Sequence, residues 1–383
     1  MTASALTRPG ERDRLIVKFG DIHWGLVALL CLIAGAGTLM LYSIAGSNWR
    51  PWAADHLIRF TFLVFVMIIL AVIDLRVWFA VAYPVYFLGL ILLLGVEAAG
   101  DISLGAKRWL ALGGLKFQPS EVMKIGLVLA LARFYHSTSA DDARLSWKLL
   151  IPCTMIGIPA VLVAHQPDLG SAILIALTGL AIMFMAGLSL RLIAIGLVGM
   201  AAAAPAAFLV LHDYQRQRLL TFMNPESDPS GAGYHTLQAK IALGSGGLLG
   251  KGYGLGSQSQ LNFLPEKQTD FIFATLSEEF GFVGSVTVLL LFAAVVAIAL
   301  RIATISHSHF GRLSAAGITA TFSVYVLING AMVMGLAPIV GVPMPLLSYG
   351  GTVMLTVMVG FGLVQAVKVH RYSEVTSGKG ALL

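Results

Sequence analysis

Six acidic side chains lie within or at the edges of long apolar runs, where an isolated charge is costly. They are Glu97, Glu121, Asp168, Asp270, Glu278 and Glu279. A carboxylate in such a place needs a cation or a polar cavity beside it, or a catalytic task such as taking a proton from a substrate hydroxyl. Reactive chemistry is therefore to be sought among these six acids.

Glu121 and Lys124 are three residues apart near the start of one apolar run. This spacing places them on one face of a helix, where they can pair. Two interpretations stay open. The pair is either a structural ion pair that neutralises itself, or part of a cavity wall that tunes the charge felt by a substrate.

Asp168 and Asp270 each precede an apolar run, so each could cap a helix by accepting hydrogen bonds from exposed backbone N–H groups. Asp270 is also flanked by charged and aromatic residues, since Glu266 and Lys267 precede it and an aromatic stretch follows it, and this favours a role beyond capping. At a helix N-terminus its carboxylate is expected to be ionised at neutral pH. Such a carboxylate can act as a general base on a substrate hydroxyl.

Two glycine-rich stretches stand out. Residues 250–256 are spaced superficially like a nucleotide-binding loop, but no strand precedes them and no Lys-Ser/Thr pair closes them. They serve either close helix packing, which we favour, or the binding of an anion such as a pyrophosphate by backbone amides. Residues 341–351 contain two prolines and a glycine pair, which predict a re-entrant loop packed against the site.

The composition identifies the kind of molecule that positions these residues. Of 383 residues, 57% are hydrophobic and 11% are charged, whereas a soluble domain has about 25% charged residues. The chain is therefore predicted to be a membrane protein in contact with membrane lipid. The net charge of +6 is scattered between apolar runs, which argues against nucleic acid as a partner. The two cysteines, Cys31 and Cys153, exclude a disulfide scaffold.

Ten apolar runs predict an all-α polytopic fold with ten transmembrane helices. The runs cover residues 24–46, 57–75, 77–99, 121–134, 149–165, 169–188, 191–211, 270–300, 313–337 and 350–368. The fourth and fifth are short for a bilayer about 30 Å thick. Both are bounded by proline and acid, a pattern that indicates interrupted helices beside a binding site.

The distribution of Lys and Arg predicts the orientation. The side of the N-terminus holds 14 of these residues and the other side holds 11, of which five lie in the single long connection 212–269. Both termini are therefore expected in the cytoplasm, with the chain in the cytoplasmic (inner) membrane. The predicted domains are a cytoplasmic segment 1–22, one membrane domain 23–370 with the outer loop 212–269, and a cytoplasmic tail 371–383.

Five motifs, in this order along the chain, resemble those of the SEDS family of bacterial cell-wall synthesis. They are GAKRW at 105–109, FQPSEVMK at 117–124, QPDLG at 166–170, LPEKQTDFIFA at 264–274 and GVPMPLLSYGG at 341–351. The resemblance extends over most of the chain, and the last two motifs are closer to the elongation members of the family than to the division members.

The resemblance implies a ten-helix fold with a large extracytoplasmic loop between helices 7 and 8. It implies a peptidoglycan glycosyltransferase that polymerises lipid II at the outer face during cell elongation, with undecaprenyl diphosphate as the leaving group. The implied partner is a class B penicillin-binding protein, a transpeptidase. No cofactor or metal site is evident in the residues, although the resemblance allows a divalent cation, Mg²⁺ or Mn²⁺.

The resemblance also assigns residues. Asp270 matches the family's essential carboxylate, Glu121 and Lys124 match its membrane ion pair, and Asp168 matches a further functional acid. Four residues within the matching motifs are expected to bind or support the substrate: Lys107, Arg108, Lys267 and Ser348.

Two other functions compete with the glycosyltransferase. Ten helices with intramembrane charges also suit a lipid II flippase, which would need charged groups exposed alternately to both faces. A non-catalytic scaffold for the transpeptidase is the third hypothesis, and for it Asp270 should be replaceable without loss.

Overall fold

A computed structural model describes residues 15–103, 106–112, 115–138, 147–210, 213–228, 231–264 and 266–375. Its helices are α1 (Leu15–Asp21), α2 (Trp24–Ile44), α3 (Ala53–Val72), α4 (Leu75–Ala99), α5 (Pro119–His136), α6 (Leu150–His165), α7 (Leu169–Met185), α8 (Leu190–Val210), α9 (Asp213–Met223), α10 (Ala232–Ser245), α11 (Ser257–Gln260), α12 (Ile272–Ile305), α13 (His309–Val333) and α14 (Gly351–Val369). Its strands are β1 (Asp101–Ser103), β2 (Ala106–Leu112) and β3 (Leu115–Phe117).

The membrane class predicted from the sequence is confirmed. Each of the ten apolar runs coincides with a helix, namely α2 to α8 and α12 to α14. Within the described ranges, six helices are long and apolar enough to cross a bilayer, which are α2, α3, α4, α12, α13 and α14. The chain is therefore a polytopic helical protein, while the count of ten spans stays a prediction.

The all-α prediction is wrong for one connection. Between α4 and α5, the three strands form an antiparallel sheet in the order β1-β2-β3. Leu110 pairs with Phe117 and Leu112 with Leu115, so a run too short and too polar to span a membrane instead satisfies its backbone groups by strand pairing.

Helix α5 lies at the centre of the bundle, where it packs against α4, α7 and α13. Close approach depends on glycine, since a Cβ on Gly126 would lie 3.0 Å from the Cα of Tyr86 on α4. The helix begins at Pro119, where the missing N–H of proline is tolerated. Its central position carries Glu121 and Lys124 into the protein interior.

Helix α12 is interrupted at Gly281, which adopts φ 65° and ψ −160°. Residues 246–252, in the second half of the long loop 212–269, lie in the break. Four backbone hydrogen bonds connect the two: Lys251 N to Glu278 O, Gly252 N to Glu279 O, Phe282 N to Gly247 O and Val283 N to Leu248 O. A Cβ on Gly250 would lie 2.1 Å from the carbonyl oxygen of Glu279, whereas one on Gly254 would meet nothing within 4 Å. The packing interpretation of this glycine run is therefore confirmed for Gly250.

Both ends of the described chain lie on one face of the bundle. Arg371, just after α14, forms a 2.9 Å ion pair with Asp21 at the end of α1. Its carbonyl accepts a hydrogen bond from the backbone of His307, between α12 and α13. Asp270 precedes the other end of α12, so it lies on the opposite face.

Candidate functional site

The backbone around Asp270 is held by α13 and by the irregular segment 334–350. Three hydrogen bonds do this: Ser348 Oγ to Thr269 O (2.6 Å), Tyr349 N to Gln268 O (2.8 Å) and Asn329 Nδ2 to Asp270 O (2.8 Å). Asn329 also donates to Val342 O at 2.7 Å, which links the two partners. The predicted packing of residues 341–351 against the site is therefore confirmed, and it fixes the position of the Asp270 backbone.

The carboxylate of Asp270 does not cap a helix. The capping position of α12 is occupied by Phe271, and in the described part of the chain no donor hydrogen-bonds the Asp270 side chain. Burial raises its pKa to about 6, the negative charge of Glu266 contributes to the increase, and the positive charges of Arg218 and Arg108 act in the opposite direction. Burial and Glu266, and not a helix N-terminus, therefore dominate the pKa of this carboxylate, although a value of about 6 still leaves it mostly ionised at neutral pH as expected.

Asp168, in contrast, is a true helix cap. Its Oδ1 accepts a 3.1 Å hydrogen bond from Ser171 N at the start of α7, and its Oδ2 accepts one of 2.9 Å from Gln118 Nε2. A guanidinium nitrogen of Arg108 lies 3.9 Å from Oδ1. Because both oxygens are engaged and the residue is buried, Asp168 has a positioning role towards Arg108 and Gln118.

Residues 339–341 connect the acids of the site. Arg218 on α9 donates a 2.9 Å hydrogen bond to Ile339 O. A Cβ on Gly170, two residues after Asp168, would lie 2.5 Å from Val340 O, and one on Gly341 would lie 3.6 Å from Asp270 Oδ2. Three elements distant in sequence, the start of α7, α9 and the Asp270 turn, therefore meet on this one short segment.

Glu121 and Lys124 form a fully buried ion pair of 2.6 Å. The hydroxyl of Tyr325 on α13 lies 2.9 Å from both oxygens of Glu121 and is also in hydrogen-bond contact with Lys124 Nζ. All three side chains are at most 2% exposed. The predicted pairing is confirmed, and it is a three-residue network, so every charge has a polar partner as burial requires.

Helix α13 links this network to the Asp270 turn. Tyr325 contacts Glu121 and Lys124, and Asn329, four residues later and so on the same helix face, holds the Asp270 backbone. Sequence reasoning missed both residues, and it missed Arg218. A signal was present for the first two, since a tyrosine and an asparagine one turn apart in an apolar span predict a polar face directed into the bundle.

The remaining predicted residues have different surroundings. Lys267 is buried and donates hydrogen bonds to Ser259 O and to Asn262 Oδ1, the latter at 2.8 Å. Its ammonium therefore connects two parts of the loop 212–269. Ser348 supports the Asp270 turn through Thr269. Lys107 lies in β2, and its side chain lies outside the described part of the structure.

Comparison with known proteins places this arrangement among relatives. Residues 22–373 match the family model of the cell cycle proteins FtsW, RodA and SpoVE. The chain is 48% identical to the peptidoglycan glycosyltransferase MrdB of Escherichia coli over 307 residues, which is 80% of this chain and 82% of that protein. It is 35% identical to a probable peptidoglycan glycosyltransferase FtsW of Trichlorobacter lovleyi, covering 94% of this chain and 97% of that one.

Two solved structures share the fold. A chain from a peptidoglycan synthase complex, described in terms of the coordination of polymerisation and crosslinking, matches with a TM-score of 0.78 at 31% identity, covering 92% of this chain and 98% of that one. The rod shape determining protein RodA of Thermus thermophilus matches with a TM-score of 0.66 at 28% identity, over 92% and 98% of the two chains.

Proposed function

The chain belongs to the cell cycle protein family of FtsW, RodA and SpoVE, and from this premise we propose how its site works. It is a peptidoglycan glycosyltransferase of the RodA type, a cell-shape enzyme of the membrane. In the proposed mechanism the enzyme acts at one face of the membrane, on a lipid-linked sugar. One carboxylate serves as the base, and a transpeptidase is the partner.

The Asp270 face is the outer face of the cytoplasmic membrane, and both termini are cytoplasmic. Support comes from the excess of Lys and Arg on the side of the termini and from the ion pair of Asp21 with Arg371, which holds the two ends on one face. The domain limits follow from this orientation: a cytoplasmic segment 1–22, the membrane domain 23–370 and a tail 371–383.

The substrate is lipid II, a polyprenyl diphospho-sugar. Such a molecule keeps its hydrocarbon tail in the bilayer and its diphosphate and sugars in water, so it needs charged groups at the outer end of the helices. Arg108 and Arg218 supply positive charge close to Asp270. Their role is to stabilise the negative charge that develops on the departing undecaprenyl diphosphate.

Asp270 acts as the general base. It takes the proton from the acceptor sugar hydroxyl as that oxygen bonds to the anomeric carbon of the donor, whose bond to the diphosphate oxygen breaks at the same time. A pKa of about 6 leaves most of the carboxylate ionised at neutral pH while making it a stronger base than an ordinary aspartate. The observation that carries this assignment is a fixed backbone bearing a carboxylate that accepts no hydrogen bond from the described residues.

A divalent cation fits this site only in a limited way. Among the described residues no group of three or more potential ligands occurs, and both oxygens of Asp168 are engaged. Asp270 could offer one oxygen to Mg²⁺ or Mn²⁺, with water and the substrate diphosphate as the other ligands. The cation would neutralise diphosphate charge, and Asp270 would still need an oxygen for the proton.

Replacing Asp270 by Asn tests the assignment. The amide keeps the size of the side chain but cannot take up the proton, so polymerisation of lipid II by the purified protein should fall by about 10²-fold or more. Glu226→Gln, the same chemical change at an exposed position of the same loop, is the control and should keep activity. A folded Asp270→Asn protein with near-normal polymerisation would contradict the assignment of Asp270 as the base.

The partner is a class B penicillin-binding protein. The solved peptidoglycan synthase complex, in which polymerisation and crosslinking are coordinated, supports this proposal through its similarity to the present chain. Co-purification of Asp270→Asn with the transpeptidase at the normal ratio would separate partner binding from catalysis.

A further inference from the structure

The segment that fills the break of α12 exposes several large apolar side chains. Leu248, Leu249 and Leu255 are 72%, 79% and 67% exposed, and Tyr253 is also exposed. A solvated loop has no reason to concentrate leucines in this way, and patches of this kind mark an interaction surface.

The break lies close to the boundary of the bilayer hydrocarbon. The lengths of two helices, α12 and α2, support this position independently. From Gly281 to Arg301, α12 has 21 residues and rises about 30 Å, which is the thickness of the hydrocarbon core. Helix α2, with 21 residues, has about the same length. Its Ser43, next to its outer end, hydrogen-bonds Glu279 just before the break.

The segment also reaches below this boundary. Tyr253 Oη donates a 2.8 Å hydrogen bond to the carbonyl of Leu39. Leu39 lies five residues before the end of α2, which is roughly 8 Å inside the hydrocarbon at about 1.5 Å per residue. The tyrosine therefore connects the segment to the lipid-facing surface of α2, on which Leu39 is itself exposed.

Several polar groups of the segment are bonded to the rest of the protein. Four backbone hydrogen bonds join it to the broken turn of α12. Lys251, its one charged side chain, pairs with Glu278 at 2.7 Å and with Ser257 at 2.8 Å. These bonds hold the backbone of the segment against the protein, which is what irregular backbone needs near membrane depth.

We propose that residues 246–256 form a re-entrant wedge in the outer leaflet, and that Leu248, Leu249, Tyr253 and Leu255 contact the bilayer hydrocarbon. The occupant of this surface is lipid, because the surface continues the exposed apolar side of α2 and lies level with the hydrocarbon boundary. Tyr253 has the position and the amphipathic character of an interfacial anchor. The proposal does not depend on the catalytic assignment of Asp270.

Depth measurement by electron paramagnetic resonance tests the wedge directly. Cys31 and Cys153 are first replaced by Ala, and a spin label is attached to the full-length protein at Leu249→Cys in phospholipid vesicles. Leu248→Cys is a second variant in case one substitution perturbs folding. Labels at Leu39→Cys and Glu226→Cys serve as the hydrocarbon control and the water control.

The labels in the wedge should collide more often with dissolved oxygen than with a water-soluble nickel complex, as at Leu39, and Glu226 should show the reverse. Greater access of the nickel complex at both wedge positions would show a solvated loop and overturn the proposal. Shielding from both reagents would also overturn it, because another part of the protein would then cover the surface.

Discussion

At the scale of single residues, the backbone of Asp270 is fixed by hydrogen bonds, whereas its carboxylate accepts none from the described residues. The backbone carbonyls of Gln268, Thr269 and Asp270 accept hydrogen bonds from Tyr349, Ser348 and Asn329. In contrast, both carboxylate oxygens of Asp168 are bonded to neighbouring residues. Two aspartates that look alike in the sequence, each ahead of an apolar run, therefore differ in function. A cap needs its lone pairs for the helix, and a base needs them for the substrate.

The pKa of Asp270 leads to a prediction about pH. Activity should fall as pH drops through about 6, because the protonated carboxyl cannot accept a proton. Glu266 raises this pKa, so Glu266→Gln should lower the midpoint, and the variant should stay active at more acidic pH. The measurement is the polymerisation rate at low substrate concentration across the acidic and neutral pH range. An unchanged midpoint in Glu266→Gln would contradict the electrostatic coupling of the two acids.

The buried network of Glu121, Lys124 and Tyr325 predicts non-additive stability. Glu121→Gln alone leaves the Lys124 charge without its counter-ion, which should cost about 3–5 kcal/mol. The double change Glu121→Gln with Lys124→Met should cost less than the sum of the two single changes. Thermal unfolding of the purified variants in one detergent measures this. Strict additivity would mean that the 2.6 Å contact does not stabilise the fold.

At the scale of elements, periodicity and composition predicted most of the architecture. Each long apolar run became a helix, and Pro119 marked the start of α5, because hydrophobic length and proline are local signals. The break of α12 at Gly281 was missed, since it depends on backbone bonds from residues 246–252, which no local pattern links to the helix. The site contact of Arg218 with Ile339 was missed for the same reason.

The break predicts a difference between two glycines in the wedge. Gly250 and Gly254 both have positive φ, of 84° and 73°, but only a Cβ on Gly250 meets other atoms, at 2.1 Å from Glu279 O. Gly254→Ala should therefore lower the free energy of unfolding by only roughly 1–2 kcal/mol, the cost of a left-handed backbone conformation at a residue with a Cβ. Gly250→Ala should in addition separate the wedge from α12 and displace the half-helix that begins beside Asp270.

Melting temperature and polymerisation rate distinguish these outcomes. Gly250→Ala is expected to lower both, and among the molecules that stay folded the turnover number should fall more than the apparent substrate affinity, since the base is displaced. Gly254→Ala should keep the turnover number. Equal effects of the two variants would show that backbone strain alone matters and that the wedge does not position α12.

At the scale of the whole molecule, the two faces of the bundle differ in content. The face of the termini has the ion pair of Asp21 with Arg371. The opposite face has the β-sheet, the long loop and Asp270. This separation suits an enzyme that acts on one side of the membrane better than a transporter, which must expose its charged groups to both.

Orientation is tested with two exposed glutamates, Glu226 and Glu374, each replaced by Cys in a protein without Cys31 and Cys153. A membrane-impermeant thiol reagent should label Glu226→Cys in intact cells. It should label Glu374→Cys only after the membrane is permeabilised. The reverse pattern would place Asp270 in the cytoplasm and invalidate the proposed site.

The internal pairing within α5 has a consequence for how the protein is made. Tyr325 is 201 residues away from Lys124, so it has not been synthesised when α5 leaves the ribosome and meets the insertion machinery. A lone charge in a membrane helix opposes insertion, by about 2.5–3.5 kcal/mol at the helix centre and by less near a helix end, where Glu121 and Lys124 lie. Because Glu121 and Lys124 are three residues apart, the nascent helix brings its own counter-charge, and it can wait in the membrane as a neutral segment until α13 arrives to complete the network.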